Sequence, residues 1–292
     1  MLQLLFLDTI WLPNLLRFHH DITKGSTMFS IATHNKIFHA DEVTAIALLK
    51  IFTKDEITIH RIDHQSENFL PHDMVIDIGR KFDDIKYFDH HQNRGGKSSA
   101  GLIWDYLELN SRYPRIGKLI HQVDMNDTGG QKAGDFEYAS LIKAFNAKEL
   151  LSQEQERQFE RAVEFSMTII EAMVRNQQEL EDAQEIVKNS YYFHGNPKIL
   201  ELESFTPHWS SYINGVMQPH IKAVVWEDFE EKTWKVKLSP KHPGSFELCT
   251  KPLIQDPSMI FVHASGHFAV ARDEAQMASF LSKSGHYRMR KK

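Results

Sequence analysis

From Met28 onward, short apolar runs alternate with helical ones, and that alternation restricts the fold more than any other feature of the chain. FSIAT (29–33), ITIHRI (57–62), MVIDIG (74–79) and IKYFD (85–89) have the length and apolar character of buried strands. ADEVTAIALLKIF (40–52), SSAGLIWDYLEL (98–109) and residues 116–123 carry helical patterning. Strands alternating with helices predict a mainly parallel sheet wrapped in helices, an α/β architecture. Sites in such sheets form beyond the carboxyl ends of the strands.

The pattern changes twice more. From about Ala147 to Asn189, Phe159, Val163, Met167, Ile170, Val174 and Leu180 recur at helical spacing among charged residues, as in a connecting helix or helix pair. After Gly195-Asn196-Pro197 come KILELE, IKAVVWE, TWKVKLS and MIFVHA, read as strands, then the helical EAQMASFLSK and a basic tail. At roughly 150 residues per domain the length suggests two domains. The expected layout is a metal-binding catalytic domain at 28–146, a helical connector at 147–190 and a smaller α/β domain at 191–292. Residues 1–27 read as an appendage. Their apolar run is broken by Asp8, Pro13 and Asn14, and so suits neither a secretory signal nor a membrane span.

The chemistry gathers where the expected strands end. After the first comes Thr33-His34-Asn35-Lys36-Ile37-Phe38-His39-Ala40-Asp41-Glu42. After the third comes Asp77, and after the fourth Asp89-His90-His91. A later helix closes on Asp124 and Asp127. Seven of the 17 histidines lie between His34 and His91, where an even spread would put about three.

Composition narrows the chemistry. The single cysteine, Cys249, excludes an internal disulfide and a thiolate cage, and fits a reducing, cytoplasmic setting. A net charge of −5 argues against a broad basic groove for duplex nucleic acid, but not against a pocket for one phosphate or a strand end. An imidazole/carboxylate set without sulfur suits Mn²⁺, or alternatively Mg²⁺, Co²⁺ or Zn²⁺. About six ligands, some bridging, hold two ions roughly 3.5–4 Å apart in phosphoryl-transfer sites. Taken singly, Asp41 or Asp127 could merely cap a helix, and His60, His64 and His72 read as surface or packing residues. His34, His39, Asp41, Asp77, Asp89 and His90 together read as a metal centre.

These residues carry a resemblance. THN-x-x-FH-x-DE, VID-x-G, DHH followed by Gln92, SSAGLIW, VD-x-x-D-x-G and FVHASG occur in the order found in the melanocyte-proliferating gene one family. That family belongs to the DHH phosphoesterase superfamily. The motifs span Thr33 to about Phe280. The resemblance implies that His34, His39, Asp41, Asp77, His90 and one of Asp124 and Asp127 hold Mn²⁺-like ions. It implies that Asp89 supports or joins them, that His91 faces the phosphate, and that Ser98 and Ser99 open an anion-favouring helix N-terminus. It also implies metal-dependent 3′–5′ exonuclease activity on RNA. Three features depart from the family pattern: Lys36 stands where glycine is usual, the loop from His91 to Ser98 is short, and His267 replaces an apolar aromatic.

The combined reading is a metal-dependent phosphodiesterase, a 3′–5′ exonuclease on short single-stranded RNA or DNA, in which two metals activate a hydroxide. His91, with Arg94 or Lys97, would stabilise developing charge, and Lys36 would put a cation near phosphate. In the smaller domain, Gly266 permits close backbone approach, His263 and Ser265 add donors, and Lys241 and Arg272 add charge for gripping substrate. The plainer alternative there is a strand-to-helix turn capped by Ser265. A pyrophosphatase or small phosphoester hydrolase, and a non-catalytic metal-binding scaffold, are the alternative functions. The expected partner is a nucleic acid strand or a nucleotide phosphoester, with no membrane, and homo-oligomers are allowed.

Overall fold

A computed structural model describes residues 28–53, 55–65, 69, 71–92, 96–213, 220–239, 259–264 and 266–283. They form two compact units, one up to Glu171 and one from Ala172 onward.

The first unit is built on strands β1 (Met28–His34), β2 (Glu56–Ile62), β3 (Met74–Ile76) and β4 (Tyr87–Phe88), in the order β2-β1-β3-β4. All three pairings are parallel: His34 lies abreast of Ile62, Ala32 of Val75 and Ile76 of Phe88. A parallel pair needs a crossover, and helix α1 (Ala40–Phe52) supplies the one from β1 to β2. Every residue from Ala40 to Leu49 is buried, as expected of a helix apolar nearly all round. Its start is fixed by Glu42, whose side chain accepts the His39 N–H at 2.9 Å. Helices α2 (Ser99–Tyr106), α3 (Pro114–Asp127) and α4 (Tyr138–Lys143) pack against it. Burying Val43, Ile46, Leu48 and Leu49, each no more than 1% exposed, contributes about 1.5–3 kcal/mol apiece. Because the strands are parallel, the ends of β1, β3 and β4 deliver His34, Asp77 and Asp89 to one edge.

Helix α5 (Gln153–Lys188) is one continuous helix of 36 residues, running through the division between the units. Near its start Phe159 packs edge-on to Phe38, 5.3 Å between ring centroids.

The second unit holds β5 (Tyr191–Tyr192), β6 (Ile199–Glu201), β7 (Ala223–Asp228), β8 (Thr233–Leu238), β9 (Met259–Val262) and β10 (Phe268–Ala271) in the order β5-β6-β7-β8-β10-β9. Only β6 and β7 pair in parallel; the other pairings are antiparallel. One face packs Val225, Val236 and Ala269 against Met277, Phe280 and Leu281 of α7 (Glu274–Lys283). On the other, Leu200, Leu202, Val224 and Trp226 meet Val187 of α5 and Trp209 of α6 (Trp209–Tyr212). FVHASG does not lead into a helix. It leaves β9 and returns as β10, with the Gly266 N–H donating to the His263 carbonyl at 2.7 Å. Short, alternating small and apolar residues (FAVA) gave no separate strand signal beside that turn.

Candidate metal centre

Asp77 is the hub. It directly follows β3 with φ 58°, a left-handed conformation that Asp tolerates better than most residues, and is 3% exposed. Its Oδ2 lies 3.2 Å from His34 Nε2, and its Oδ1 lies 3.1 Å from His90 Nε2. Ser99 Oγ donates to Oδ1 at 3.2 Å. One carboxylate therefore joins the loop after β1 to the loop after β4.

The other acids converge from α1 and α3. Glu42 Oε1 lies 3.0 Å from His34 Nε2. His90 Nε2 also approaches Asp127 Oδ2 at 2.9 Å and Asp41 Oδ2 at 3.6 Å. Three sets of donor atoms cluster within 4.8 Å: His34, His39, Glu42 and Asp77; Asp77, His90 and His91; His39, Asp41 and Asp127. Asp77 and His39 each belong to two sets, so the groups form one continuous centre.

A divalent cation fits these residues. Both Asp41 oxygens and Glu42 Oε2 are buried without a hydrogen-bond partner, and a buried carboxylate left so is costly unless a cation meets it. Electrostatics agree. Burial disfavours the charged His34 ring, but Asp77 and Glu42 outweigh it and push the pKa up to about 11. Burial likewise opposes charge on His90, and Asp127, Asp41 and Asp77 carry it up to about 12. Burial pushes Glu42 up to about 8, with His34 acting the other way. For Asp77, burial is outweighed by His34 and His90, which hold its carboxyl below the ordinary value. Protons on His34 and His90 thus offset the charge of Asp77, Asp41 and Asp127, and a bound divalent ion would take over that role and release them.

Asp89 plays a different part. It is 1% exposed, and its Oδ1 accepts from His91 Nδ1 at 2.7 Å and from the His91 backbone N–H at 2.9 Å. Its Oδ2 accepts the Arg80 N–H at 2.6 Å. Asp89 thereby orients the half-exposed His91, whose pKa it raises through that hydrogen bond. Asp124 lies apart from the three donor sets and accepts from Ser98 N–H at 2.9 Å and Ser98 Oγ at 2.7 Å. Burial raises its pKa.

Among the candidate substrate groups, Lys36 adopts φ 67°, a left-handed conformation that accords with a glycine-favouring position, and its ammonium lies 3.4 Å from Asp63. Lys97 pairs with Asp105. Arg94, Lys241 and Ser265 lie outside the described residues. In the second unit His263 and Gly266 shape the β9–β10 turn, Gly266 with φ 71°, and Arg272 is exposed, its N–H donating to Gln276 Oε1 at 3.1 Å.

Two kinds of residue escape sequence reading. Glu42 sits beside Asp41 and three residues after His39, so its spacing suggests helix capping, which it also performs. Arg61 gives no signal at all. It is buried against the rings of Phe38 and Phe159, and its Nη2 donates to the Lys36 carbonyl at 2.8 Å, steadying the loop that carries His34 and His39.

Fold and centre together define a class: a two-unit α/β protein with a sulfur-free, histidine- and carboxylate-lined candidate metal centre at the carboxyl edge of a parallel sheet. The chain belongs to the MYG1 exonuclease family, described as Uncharacterised protein family (UPF0160), which matches residues 30–110 and 116–284. A MYG1 protein of Chlamydia muridarum is 38% identical over 134 residues, covering 41% of this chain and 45% of that one. The chain thus spans about half the length of the chlamydial relatives it matches. A MYG1 protein of Schizosaccharomyces pombe is 25% identical over 306 residues, covering 82% and 92%. The human MYG1 exonuclease is 26% identical over 305 residues, covering 81% and 80%. A crystal structure of exonuclease RecJ bound to manganese aligns over 89% of this chain and 91% of that one, at 12% identity and a TM-score of 0.26. So loose an alignment carries no functional argument.

Proposed function

We propose that the chain is a metal-dependent phosphodiesterase that removes nucleotides in the 3′–5′ direction from short single-stranded RNA or DNA. The observation that carries this reading is the sharing of Asp77 between His34 and His90, beside the unpartnered oxygens of Asp41. His34, His39, Asp41, Glu42, Asp77, His90 and Asp127 would hold the metal, taken as Mn²⁺. Bound there, a divalent ion supplies Lewis-acid charge that neutralises phosphoryl oxygens and makes water more acidic.

The chain's own groups do the rest. Asp89 fixes His91 through Nδ1, which frees Nε2 to donate to a phosphoryl oxygen as charge builds. The protonated form of His91 that Asp89 favours is the one able to donate. Ser99 holds Asp77 in place, and Asp124 ties down the start of α2 through Ser98. The names of the bovine and human relatives as exonucleases support the substrate class. The superfamily resemblance of the DHH triplet supports the two-metal chemistry.

The test is elemental analysis of the purified chain together with end-labelled oligonucleotides, with and without Mn²⁺. Single nucleotides released from the 3′ end, dependent on metal, are the expected result. Orthophosphate from pyrophosphate alone would replace this reading with a pyrophosphatase, and bound metal without turnover on any phosphoester would leave a scaffold.

A further inference from the structure

The second unit has a sheet face that the proposed chemistry leaves unused. Cross-strand register lays it out in rows. Val224 on β7 stands beside Lys237 on β8, which stands beside Phe268 on β10. The next row runs from Trp226 through Lys235 and Val270 to Phe261 on β9. Where α5 and α6 cover this face, on β6 and β7, it is an ordinary core of Leu200, Leu202, Val224 and Trp226. Over β8, β10 and β9 its character changes to rings and ammonium groups.

Phe205, from the loop before α6, stacks on Trp226 with centroids 4.3 Å apart and planes 25° apart, yet remains 39% exposed. Phe261, at the far side, is 47% exposed and lies 6.2 Å from Phe268. Phe268 in turn lies 6.2 Å from Trp226, which makes the rings one connected row. Lysines stand between the two exposed rings, on an interior strand. Lys235 is matched by Asp228 and Glu231, each at 2.7 Å. Lys237 sits 5.5 Å over the Phe205 ring, and among the described residues no carboxylate lies within ion-pair distance of it. Burial, then the neighbouring His263 and Lys237, depress the His267 pKa.

From this juxtaposition we infer that Phe205 and Phe261, with Lys237 between them, form a stacking platform for two or three nucleotides of single-stranded nucleic acid, bases on the rings and phosphate on the ammonium. An apolar protein partner would bury the Lys237 charge without an anion to meet it, which is costly. A nucleotide strand supplies a flat π-face for each ring and an anion for the lysine. Because every base has such a face, the platform is indifferent to sequence. This inference rests on the nucleic-acid reading of the metal centre and adds a strand-binding surface on the second unit.

The experiment uses the full chain in EDTA, so that no oligomer is digested, and measures anisotropy of a labelled ten-residue oligothymidylate and of an abasic oligomer of equal length and charge. The chain is expected to prefer oligothymidylate by about ten-fold or more, and Phe205→Ala or Phe261→Ala should each remove about ten-fold of that affinity. Neither change should alter binding of the abasic oligomer. Lys237→Gln should weaken both probes alike and reduce the slope of log affinity against log salt by about 0.7. Phe205→Leu and Phe261→Leu keep apolar cover over Trp226 and Phe268 while removing the flat face, and should reproduce the loss. Equal affinity for the two probes, or equal losses on both in the ring variants, would overturn the platform. Metal-dependent digestion by those same variants would then leave the exonuclease reading standing. Base-dependent binding without digestion of any oligomer would leave the platform and remove the exonuclease.

Discussion

The two sheets bury their apolar sides in the same way and expose chemistry in different ones. In the first unit the strands are parallel, the apolar residues fill the interior, and the reactive groups stand at or just beyond strand ends and at the neighbouring ends of α1 and α3. Asp77, His34 and His90 come together there although their strands contribute no side chain of the kind from their middles. In the second unit the sheet is mixed, and Lys235, Lys237, Phe268 and Phe261 share one face across three strands, with Phe205 laid against Trp226 from the loop before α6. The difference follows from connection. Parallel strands send all their carboxyl ends to one edge, so short loops converge. Antiparallel strands alternate their ends, and what they share is the face, where side chains meet by cross-strand register.

The sharpest way to break that comparison is to remove the hub of the first sheet. Asp77→Ala or His90→Ala is expected to abolish tight metal binding and to lower hydrolysis by well over about 100-fold, more than is usual for residues that only support a ligand. Circular dichroism should remain that of a folded α/β chain, since the Asp77 side chain meets His34, His90 and Ser99 at the strand ends rather than the apolar interior. If either variant keeps full metal content and turnover, convergence at the strand ends is not the source of activity.

The same difference governs what could be read in advance. The helices at 40–52 and 274–283 match their sequence patterns end to end, because an apolar periodic run with clear boundaries needs no distant information. Strand-end chemistry was legible for a related reason: His34, His39 and Asp41 lie within eight consecutive residues, and Asp89, His90 and His91 within three. Asp124 and Asp127 could not be separated. They lie three residues apart on one helix end, and only the fold turns the first to Ser98 and the second to His90. The aromatic face was illegible, since Phe205, Trp226, Lys237, Phe261 and Phe268 meet only once the order of β7, β8, β10 and β9 is known.

A smaller effect tests how tightly the first unit is packed around its centre. Gly101 lies in α2, and a Cβ there would stand 2.5 Å from Asp124 Oδ1 and 2.7 Å from Oδ2. In an open helix Gly→Ala gains up to about 1 kcal/mol. Here Asp124 is held by two bonds from Ser98, and displacing it adds to an overpacking cost of about 1–3 kcal/mol. Gly101→Ala should therefore lose about 1–2 kcal/mol in urea denaturation. A stabilised variant would mean that the region yields as an open face does.

Arg61→Lys probes the support beneath the loop after β1. The guanidinium makes bonds to the Lys36 carbonyl and to Glu156 Oε1 at 3.0 Å while lying 4.5 Å over the Phe159 ring. Lysine cannot reproduce that planar fork. The change should cost about 1–1.5 kcal/mol of stability and weaken metal affinity by about ten-fold. Unchanged metal affinity in isothermal titration would show that the loop keeps its shape without Arg61.

The smallest effect lies beside β4, where a strand only two residues long is steadied by one acid. Asp83 Oδ1 accepts the N–H groups of Ile85, Lys86 and Tyr87 at 3.2, 2.9 and 2.9 Å, and Oδ2 lies 3.0 Å from Lys81. Burial favours the neutral acid, but these partners outweigh it and hold the carboxyl far below its ordinary value. A depressed folded-state pKa stabilises the fold above the unfolded value near 3.9 and loses that stabilisation as pH falls toward the folded one. Asp83→Ala should thus lower Tm at pH 7 by about 2–4 °C. The gap should stay constant down to about pH 5 and narrow below about pH 4. A gap that widened in acid would mean that Asp83 is already protonated in the folded chain, and β4 would then owe its place beside β3 to the sheet alone rather than to a charge at the turn before it.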